Sequence, residues 1–536
     1  MLDNGINAAM PVEATGLSRR GLIARGAAVG ALAVAGPAFG AVSDTASATA
    51  LRYRVRPYRK TAVPSAGLRH MLDRFSYGIT PGLIAQAHRA GGAQDWFEQQ
   101  LNPGRISDRT AAAVKAWYPH LSWTPGALWS AYRDGHLKSG DVAHDFAHWV
   151  ILQRFFTQRQ LLETMTEFWS TLLYIPGLIG YTWPTRMRYD ATIRANALGR
   201  FDNLLKAAVL HPCMLTYLDN AESRSPIPNE NLGRELLELH TVGRIYSEAD
   251  VLGSSQILSG WQVDLFHTFK PVYRESAHCE TSVPVGVLGF SSANQSADGR
   301  ALCESYLEYL AHHPATAMRL ATRLATVFVS DTPSAQLVNH LASVYSASGT
   351  DIKAVLRALV ASREFRVSIG TKVRNPAMDV VATYRALGVR VRRPRSASSA
   401  ANQMAWQAKA MGQRPYAWPR PDGDPLDNGS WSSPGRLLGS FTLHTEMAGG
   451  WFPRADIVYR SHASWIPTWG MRFDMLVDHL CRVLLSRPST PRLLQAACQS
   501  TQVAPSDRIT RTHAVASWKM PRLLATILDT PEFMTR

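Results

Sequence analysis

The sequence predicts a mainly α-helical protein, with one large multi-helical domain, a small β-hairpin-like insertion and a long irregular C-terminal loop. Helix-start signals recur along the 536 residues, as at Thr80-Pro81, where a capping side chain precedes a proline at the first helical position. Residues 351–365 place their apolar side chains at helical spacing. Strand-forming runs are few. Together these observations indicate helices packed on helices, with 46% hydrophobic residues available for the core.

Residues 1–50 have the pattern of a Tat-type signal peptide. Ser18-Arg19-Arg20-Gly21-Leu22-Ile23 is a twin-arginine motif. Ala48-Thr49-Ala50 fits a small-x-small cleavage site, and Ala46-Ser47-Ala48 is an alternative. The apolar run at residues 26–39 is too short to span a membrane, and no later run is long enough. We therefore expect Tat export to an extracellular or cell-envelope location and no transmembrane segment in the mature chain. The basic, Pro-containing residues 51–66 are predicted as a linker.

The helical core is predicted over residues 67–390 and the C-terminal helical part of the same domain over residues 405–536. Between them, residues 391–404 are rich in Arg, Ser and Ala, without an apolar period, and predict an exposed loop. Residues 262–273 and 283–290 contain β-formers and predict the hairpin-like insertion. Three further signals are the capping box Ser247-Glu248-Ala249-Asp250, a helix start at Thr332-Pro333, and an ordered irregular loop at residues 415–435.

Charge and cysteine usage exclude several classes of protein. The formal net charge is +16, but no basic block is long enough for a nucleic-acid tail. The basic excess is spread along the chain, which is typical of solvated surface charge, while a basic exported protein also suits an anionic or polysaccharide envelope polymer as partner. The five cysteines include no Cys-x-x-Cys pair, which argues against a zinc ribbon or a thioredoxin-like site. If the protein is exported, Cys279–Cys303 and Cys481–Cys498 are the sequence-local options for disulfides.

Residues 229–241 carry the densest set of charges beside an apolar face. Asn229 is predicted to cap a helix that begins at Glu230, and Gly243 to end it. Arg234 is spaced for ion pairs with Glu230 and with Glu238. Two faces follow from the helical period: a polar one formed by Asn231, Arg234, Glu235 and Glu238, and a core-facing one formed by Leu232, Leu236 and Leu239. The sequence thus predicts a buried cluster of Glu and Arg.

The cluster is open to two interpretations from the residues alone. Glu235 and Glu238 can serve as an acid–base pair whose charge balance Arg234 sets, as in a hydrolase. The same residues can form a salt-bridge network that fixes the helix to its neighbours. The offsets of His240 give no Glu-x-x-His metal motif, and the sequence specifies neither a metal nor another cofactor. Walker, dinucleotide and Gly-x-Ser-x-Gly motifs are absent from the sequence.

At this segment the chain resembles the bacterial family DUF1800, a domain of unknown function, and the resemblance extends over about residues 67–536. The blocks that carry it are Asn229-Glu230-Asn231, Arg234-Glu235-Leu236, Glu238-Leu239, Gly243, Ser259-Gly260-Trp261, His211-Pro212, Tyr217-Leu218-Asp219-Asn220, His313-Pro314, Arg363-Glu364-Phe365 and Gly412-Gln413-Arg414-Pro415-Tyr416-Ala417-Trp418-Pro419. The resemblance implies export and a mostly helical fold. It also suggests a partner, because family members are often encoded beside a sulfatase-like exported protein, DUF1501. The resemblance implies no established reaction.

The chain departs from the family pattern at two places. Many relatives have Asn-His after the Phe-Trp of the long helix, whereas Ser170 and Thr171 follow Phe168-Trp169 here. His278-Cys279 aligns where relatives often have His-Asp. If these positions belong to an active site, this member is altered there. Glu167 and Asp190 lie where acidic residues are common in the family.

Two functions follow from these residues. The first is an exported hydrolase-like enzyme that acts on an extracellular or cell-envelope polymer. The alternative is a non-catalytic binding or assembly protein that works with a co-exported DUF1501-like partner. The candidate catalytic residues are Glu235, Glu238, Arg234, Asp219 and His278, expected in a cleft near Glu167 and Asp190. The candidate binding residues are Asn229, Glu230 and Asn231, and the aromatic Trp261, Tyr416 and Trp418, which suit stacking on sugar rings.

Overall fold

The structure, a computed structural model, describes residues 53–536, so the signal peptide predicted at residues 1–50 lies outside the described part. Over the described residues, the chain forms 24 α-helices and only short, two-stranded antiparallel sheets. The mainly α-helical fold predicted from the sequence is therefore confirmed. Within these residues no helix combines the length and the apolar character needed to cross a membrane.

Seventeen α-helices lie in the first part of the described chain. They are α1 Ala66–Phe75, α2 Pro81–Ala90, α3 Ala93–Gln100, α4 Arg109–Val114, α5 Pro125–Arg133, α6 Ser139–Phe156, α7 Gln160–Leu172, α8 Arg186–Asn196, α9 Phe201–Val209, α10 Pro212–Tyr217, α11 Asn231–Glu235, α12 Glu248–Leu258, α13 Arg300–His312, α14 Pro314–Phe328, α15 Ala335–Ala347, α16 Ile352–Ala361 and α17 Arg363–Val367. The remaining seven are α18 Pro376–Ala386, α19 Ala400–Ala410, α20 Pro434–Gly449, α21 Phe473–Leu484, α22 Pro491–Thr501, α23 Met520–Leu528 and α24 Pro531–Met534.

Side-chain caps fix several of these helix starts. The Thr80 hydroxyl accepts a hydrogen bond from the Leu83 backbone N–H at the start of α2. Ser247 and Asp250 form the predicted capping box of α12. The start predicted at Thr332-Pro333 is displaced, because the Ser334 side chain caps the helix and α15 begins at Ala335. At each of these helix starts, a polar side chain accepts a hydrogen bond from a backbone N–H group that would otherwise be unpaired.

The predicted insertion consists of two hairpins. Strand β1 (Trp261–Val263) pairs with β2 (Pro271–Tyr273), and β3 (Val285–Val287) pairs with β4 (Phe290–Ser292). Two further short pairs join distant parts of the chain: β5 Arg390–Val391 with β6 Ile457–Val458, and β7 Met471–Arg472 with β8 Arg508–Ile509. Since β5 and α19 extend into the loop predicted at residues 391–404, only residues 392–399 lie between these two elements.

The helices surround two hydrophobic cores. The first contains side chains of α1–α3 and α7–α17, and the second contains side chains of α4–α6 and α18–α24. Trp169 and Phe328 belong to the first core, and Tyr384 and Phe473 to the second. Each such fully buried aromatic side chain stabilises the fold by roughly 2–3 kcal/mol relative to its exposed state. The boundary between the cores runs between the consecutive helices α6 and α7.

The segment predicted as a linker packs against α21. The Tyr58 backbone N–H donates to Asp478 Oδ2 at 2.7 Å, and the Tyr58 side chain is buried in the second core. The Thr61 carbonyl accepts a hydrogen bond from Arg482 Nη1 at 3.1 Å. Residues 53–65 therefore lie along the surface of the second core, held by helix α21.

An ionic group with a buried centre links α18, α20 and the half-buried Asp529 after α23. His444 lies 3.2 Å from Asp379 and 2.7 Å from Asp529, and Arg436 lies 3.3 Å from Asp379. The Ser440 hydroxyl donates to Asp379 at 2.6 Å. Although burial alone opposes its charge, Asp379 and Asp529 raise the pKa of His444 to about 9. Burial opposes the charge of Asp379 as well, but His444, Arg436 and the Ser440 hydroxyl hold its pKa at about 2.

All five cysteines are buried and free. Neither disulfide option, Cys279–Cys303 or Cys481–Cys498, is formed. Burial raises the pKa of Cys303 to about 12 and that of Cys213 to about 11. These thiols behave as small core residues, because a shielded thiol with a raised pKa is a poor nucleophile.

Candidate functional site

The segment at residues 229–241 folds as a short helix followed by a π-helical turn. Helix α11 begins at Asn231, one residue later than predicted, and the Asn229 side chain accepts a hydrogen bond from the Asn231 backbone N–H at 2.9 Å. The π-helix spans Leu236–His240. The side chains of Leu232 and Leu236 are fully buried, as the helical period indicates, whereas Leu239 is only half-buried and Leu237 is buried instead. The polar face consequently lies on the opposite side, toward solvent.

The Glu/Arg cluster predicted as buried lies at the surface. Arg234 pairs with Glu230 at 3.2 Å and with Glu248 at 2.7 Å, and the exposed fractions of these three side chains are 28%, 47% and 78%. The predicted members Arg234, Glu235 and Glu238 are themselves half-buried, so the cluster is not sealed in the core, because the leucines occupy the core-facing side. Surface ion pairs of this kind contribute little stability, about 0–1 kcal/mol each.

Glu238 does not pair with Arg234 as its spacing suggested. Its carboxylate accepts hydrogen bonds from Arg244 Nε at 2.9 Å and from the Tyr246 hydroxyl at 2.5 Å. The π turn changes the angular step between residues, which directs Glu238 away from Arg234. The Tyr246 hydrogen bond is the largest effect that lowers the pKa of Glu238, followed by the contact with Arg244.

Of the other candidate catalytic residues, Asp219 joins the signature helix and His278 does not. Asn231 Nδ2 donates to Asp219 Oδ2 at 2.9 Å. His278 is buried, with Nε2 2.8 Å from Asn294 Oδ1 and Nδ1 3.1 Å from the Ser259 carbonyl. A Cβ atom on Gly299 would lie 2.5 Å from the His278 ring, so the backbone there closes over the histidine. His278 therefore holds the hairpin region together.

The aromatic binding candidates are mostly covered by protein. The Tyr416 ring is buried, stacks on Phe146 at a centroid distance of 5.0 Å, and has the Arg186 guanidinium 4.2 Å from its centroid. Trp261 is half-buried against Tyr273, and Trp418 is half-buried against Trp431. Tyr416 is thus an anchor of its loop and is inaccessible to a sugar ring, contrary to its assignment from the sequence.

A different group of polar side chains surrounds a small cavity between the two cores. The cavity measures about 50 Å³, and its walls include Phe168 of the first core and Met378 of the second. Its polar lining comprises Glu167, Asp424, Lys372, Asn375, Arg536, Thr164 and Thr171. Enzyme sites commonly lie at such junctions, where groups from distant chain segments converge. The volume has room for a few water molecules.

Glu167 is held in place by three donors. Its carboxylate accepts hydrogen bonds from the Tyr77 hydroxyl at 2.5 Å, from Asn375 Nδ2 at 3.1 Å and from Arg154 Nη1 at 3.2 Å. Asn375 is itself fixed, because its Oδ1 caps α18 by accepting the Met378 N–H. A carboxylate has about four acceptor positions. Glu167 therefore keeps one for a molecule in the cavity.

Asp424 is the most perturbed carboxyl group of the cavity. Its Oδ2 accepts a hydrogen bond from Gln413 Nε2 at 3.1 Å, whereas its Oδ1 is shielded from solvent and has no hydrogen-bond partner among residues 53–536. Burial, with a smaller contribution from the charge of Glu167, raises the pKa of Asp424 to about 6. With this pKa, Asp424 carries its proton in about half of the molecules at about pH 6 and in about a tenth of them at about pH 7.

The loop that carries Asp424 is fixed by a close approach to α7. Gly423 has a φ of +74°, and a Cβ atom at this position would lie 2.2 Å from the Thr171 carbonyl oxygen. Only glycine fits there. The side chain of any other residue would clash with this carbonyl oxygen, and its backbone would also have to adopt an unfavourable left-handed conformation. Gly423 thus sets the position of Asp424 beside Glu167, which α7 carries.

Two cations complete the polar lining. Lys372 forms an ion pair with Asp331 and donates to the Leu426 carbonyl at 3.2 Å. The Arg536 backbone pairs with that of Lys372, and its Nη1 donates to the Arg74 carbonyl at 3.1 Å. Burial lowers the pKa of both groups, that of Arg536 to about 10. Arg536 remains positively charged at neutral pH, and Lys372 forms its ion pair with Asp331, so both side chains can stabilise negative charge that develops in the cavity.

Behind Glu167 lies a buried ionic network. Arg194 of α8 forms ion pairs with Glu163 of α7 and, at 3.1 Å, with Asp190. Burial raises the pKa of Glu163, although the charge of Arg194 opposes this effect. The network ties α7 to α8 and restricts the movement of the helix that carries Glu167. Asp190, one of the acidic residues noted from the family pattern, is thus a positioning residue.

Tyr217 lies within electrostatic reach of both the signature helix and the loop that carries Asp424. Burial raises the pKa of Tyr217 to about 12, and the charges of Glu235 and Asp422 both add to this shift. The signature residues themselves do not line the Glu167–Asp424 cavity.

Sequence reasoning missed Asp424, Lys372 and Arg536. The one signal available was Pro421-Asp422-Gly423-Asp424-Pro425, where a glycine between two aspartates marks a constrained turn. Within residues 53–536, no three His, Cys, Asp or Glu side chains converge as a metal site. The arrangement is one carboxyl with a raised pKa beside an ion-paired carboxylate, which is a pattern typical of acid–base chemistry.

Comparison with known proteins gives one match. A family model described as "Protein of unknown function (DUF1800)" matches residues 70–535, most of the chain, and confirms the resemblance noted from the sequence. No curated protein and no solved structure matches the chain.

Proposed function

We propose that this chain, which belongs to the DUF1800 family of proteins of unknown function, is a hydrolase-like enzyme with its acid–base site in the Glu167–Asp424 cavity. The observation that carries the proposal is the raised pKa of Asp424, about 6, together with its unpartnered Oδ1. A protonated carboxyl group with a free oxygen is suited to donate a proton to a leaving group.

The remaining residues supply the other parts of a hydrolysis. A water molecule in the cavity gives a proton to Glu167, and its oxygen forms the new bond to the substrate. The scissile bond breaks, and the leaving group takes the proton of Asp424. Transfer of the proton from Glu167 back to Asp424 restores the starting state. Lys372 and Arg536 stabilise negative charge on the substrate during these steps.

The substrate in this proposal is an extracellular or cell-envelope polymer. The twin-arginine pattern at residues 18–23 supports export by the Tat pathway. A cavity of about 50 Å³ admits the reacting group and water but leaves the rest of a polymer outside.

The pH dependence of the reaction tests the role of Asp424. Protein folded in its native cytoplasm is incubated with isolated cell-envelope polymers, and soluble fragments are measured by mass spectrometry. Because the acid must be protonated, we expect kcat/KM to be highest below about pH 6 and to fall by about tenfold per pH unit above it. A rate that stays constant from about pH 5 to about pH 8 would contradict the proposal.

A second candidate function is assembly with an exported DUF1501-like partner, without catalysis. It is favoured by three exposed aliphatic side chains that flank the signature helix, Ile227, Ile245 and Leu252, with exposed fractions of 83%, 55% and 44%. Apolar side chains bordered by ion pairs are typical of protein–protein contact surfaces.

Co-purification from culture supernatant tests this second candidate. Ile245→Asp is expected to abolish recovery of the DUF1501-like protein, because a charge there opposes burial in an interface. Val367→Asp is the matched control, since Val367 is 68% exposed and lies on α17, outside the signature segment. Failure of the unsubstituted protein to recover that partner would eliminate the second candidate.

A further inference from the structure

A second, larger depression lies on another part of the surface. It is a groove of about 830 Å³ between the start of α5, the exposed side of α8, the junction of α9 and α10, and the loop that joins β1 to β2. Its lining shares no residue with the Glu167–Asp424 cavity. A groove of this volume can accommodate several linked sugar rings or a comparable chain.

The groove is positively charged. Its lining includes the exposed residues Arg188, His267 and Lys270, and contains no acidic residue. Neither Arg188 nor Lys270 forms an ion pair with any residue in the range 53–536, whereas His267 lies 3.4 Å from Asp264. His211 at the base of the groove is uncharged, because burial and the nearby arginines lower its pKa to about 3. Two cations therefore face the groove without a protein counter-charge.

A cluster of aromatic side chains adjoins the groove at α5. Trp129 contacts Tyr132, Tyr181, Phe266 and Phe269, with ring centroids 5.3, 5.8, 5.0 and 5.9 Å apart. Tyr132, Tyr181 and Phe266 are 42%, 49% and 41% exposed. Exposed aromatic rings of this size are costly to leave in water and offer flat faces to a sugar ring.

The β1–β2 loop is held in a conformation that presents these rings. Phe266 and Phe269 adopt left-handed backbone conformations, with φ of 69° and 55°. Such conformations are unfavourable for a bulky residue. Asp264 fixes the loop by accepting hydrogen bonds from the backbone N–H and the hydroxyl of Thr268. The loop also packs on α5, where a Cβ atom on Gly126 would lie 2.6 Å from the His267 carbonyl oxygen.

We propose that this groove and the adjoining aromatic cluster bind an anionic polysaccharide chain. Sugar rings stack on Tyr181 and Phe266, and the acidic groups of the chain approach Arg188 and Lys270. The concave shape favours a chain over a membrane surface, since a flat bilayer cannot enter a groove. The proposal does not depend on the hydrolytic function, because the binding surface and the cavity have separate lining residues.

Affinity electrophoresis in gels that contain polygalacturonate tests the proposal. The full chain is expected to be retarded, and the double variant Arg188→Glu/Lys270→Glu to lose at least about tenfold in affinity. Tyr181→Ala/Phe266→Ala should lose about tenfold through the stacking contacts. The controls are Arg109→Glu/Arg492→Glu for charge and Trp406→Ala/Trp518→Ala for exposed aromatic area, since all four residues are exposed and lie outside the groove.

Three further measurements decide the result. Added salt should weaken binding of the unsubstituted protein more than binding of the Arg188→Glu/Lys270→Glu variant, because the electrostatic part is screened. Neutral dextran should retard the protein less than polygalacturonate. The proposal would be overturned if both groove variants were retarded by polygalacturonate as strongly as the unsubstituted protein. Binding of the unsubstituted protein to phosphatidylglycerol vesicles without binding to polygalacturonate would also overturn it.

Discussion

Asp424→Asn is expected to lower kcat for hydrolysis of the polymer substrate by at least about a hundredfold. Asparagine has the same shape as the acid form of Asp424 and can keep the contact with Gln413. It cannot donate a proton to a leaving group. The loss therefore falls on the chemical step, and KM should change little.

Stability measurements separate this catalytic role from a structural one. Because its burial and the charge of Glu167 disfavour the ionised Asp424 side chain, we expect Asp424→Asn to unfold at the same temperature as the unsubstituted protein or a higher one. Asp298→Asn is the control, since Asp298 is exposed, pairs with Arg300 and lies far from the cavity in the chain. Unchanged turnover in a folded Asp424→Asn protein would refute the assignment of the acid.

Asp379→Ala is expected to lower the free energy of unfolding by about 3–5 kcal/mol. The substitution leaves His444 and Arg436 in the interior without the carboxylate that both contact. Urea denaturation followed by circular dichroism measures the change. Ser440→Ala is a matched control, because it removes only one hydrogen bond to Asp379 and should cost about 1 kcal/mol.

The stabilisation from this group should also depend on pH. The pKa of His444 is raised to about 9, so its contribution is complete below the unfolded value of about 6.5 and is lost as the pH rises through 9. The pKa of Asp379 is lowered to about 2, so its contribution is present above the unfolded value of about 3.9 and is lost as the pH falls through 2. The difference between Asp379→Ala and the unsubstituted protein should narrow above about pH 9. A difference that is independent of pH would argue against a charged pair.

Much of the fold could be predicted because several helix boundaries are determined by residues close together in the sequence. Thr80-Pro81 and the Ser247–Asp250 capping box act within one helical turn, so the residue types alone indicate where α2 and α12 begin. The alternation of Leu232 and Leu236 with charged neighbours likewise indicated which face of α11 is buried. The same pattern did not predict the exposure of the charged side chains. Helical spacing indicates the side of the helix on which Arg234 lies, but not how close that side chain is to solvent.

The candidate site could not be predicted in the same way. Glu167, Asp424 and Arg536 are far apart in the chain and meet only after α7, the loop after α19 and the last described residues pack together. The raised pKa of Asp424 comes from burial that no local pattern encodes. Conversely, the charged residues of segment 229–241 are dense in the sequence, but Arg234 forms its ion pairs with Glu230 and Glu248 at the protein surface. Charge density in a sequence therefore indicated a region of interest but not the reacting groups.

The contact between Tyr58 and Asp478 has a consequence for how the protein is made. The two residues are 420 positions apart, and the segment around Tyr58 leaves the ribosome long before its docking helix has been synthesised. The first core can form during translation, whereas Tyr58 and its neighbours have no partner until α21 appears. Docking of residues 53–65 is therefore a late step of folding, which can occur only once α21 has been synthesised.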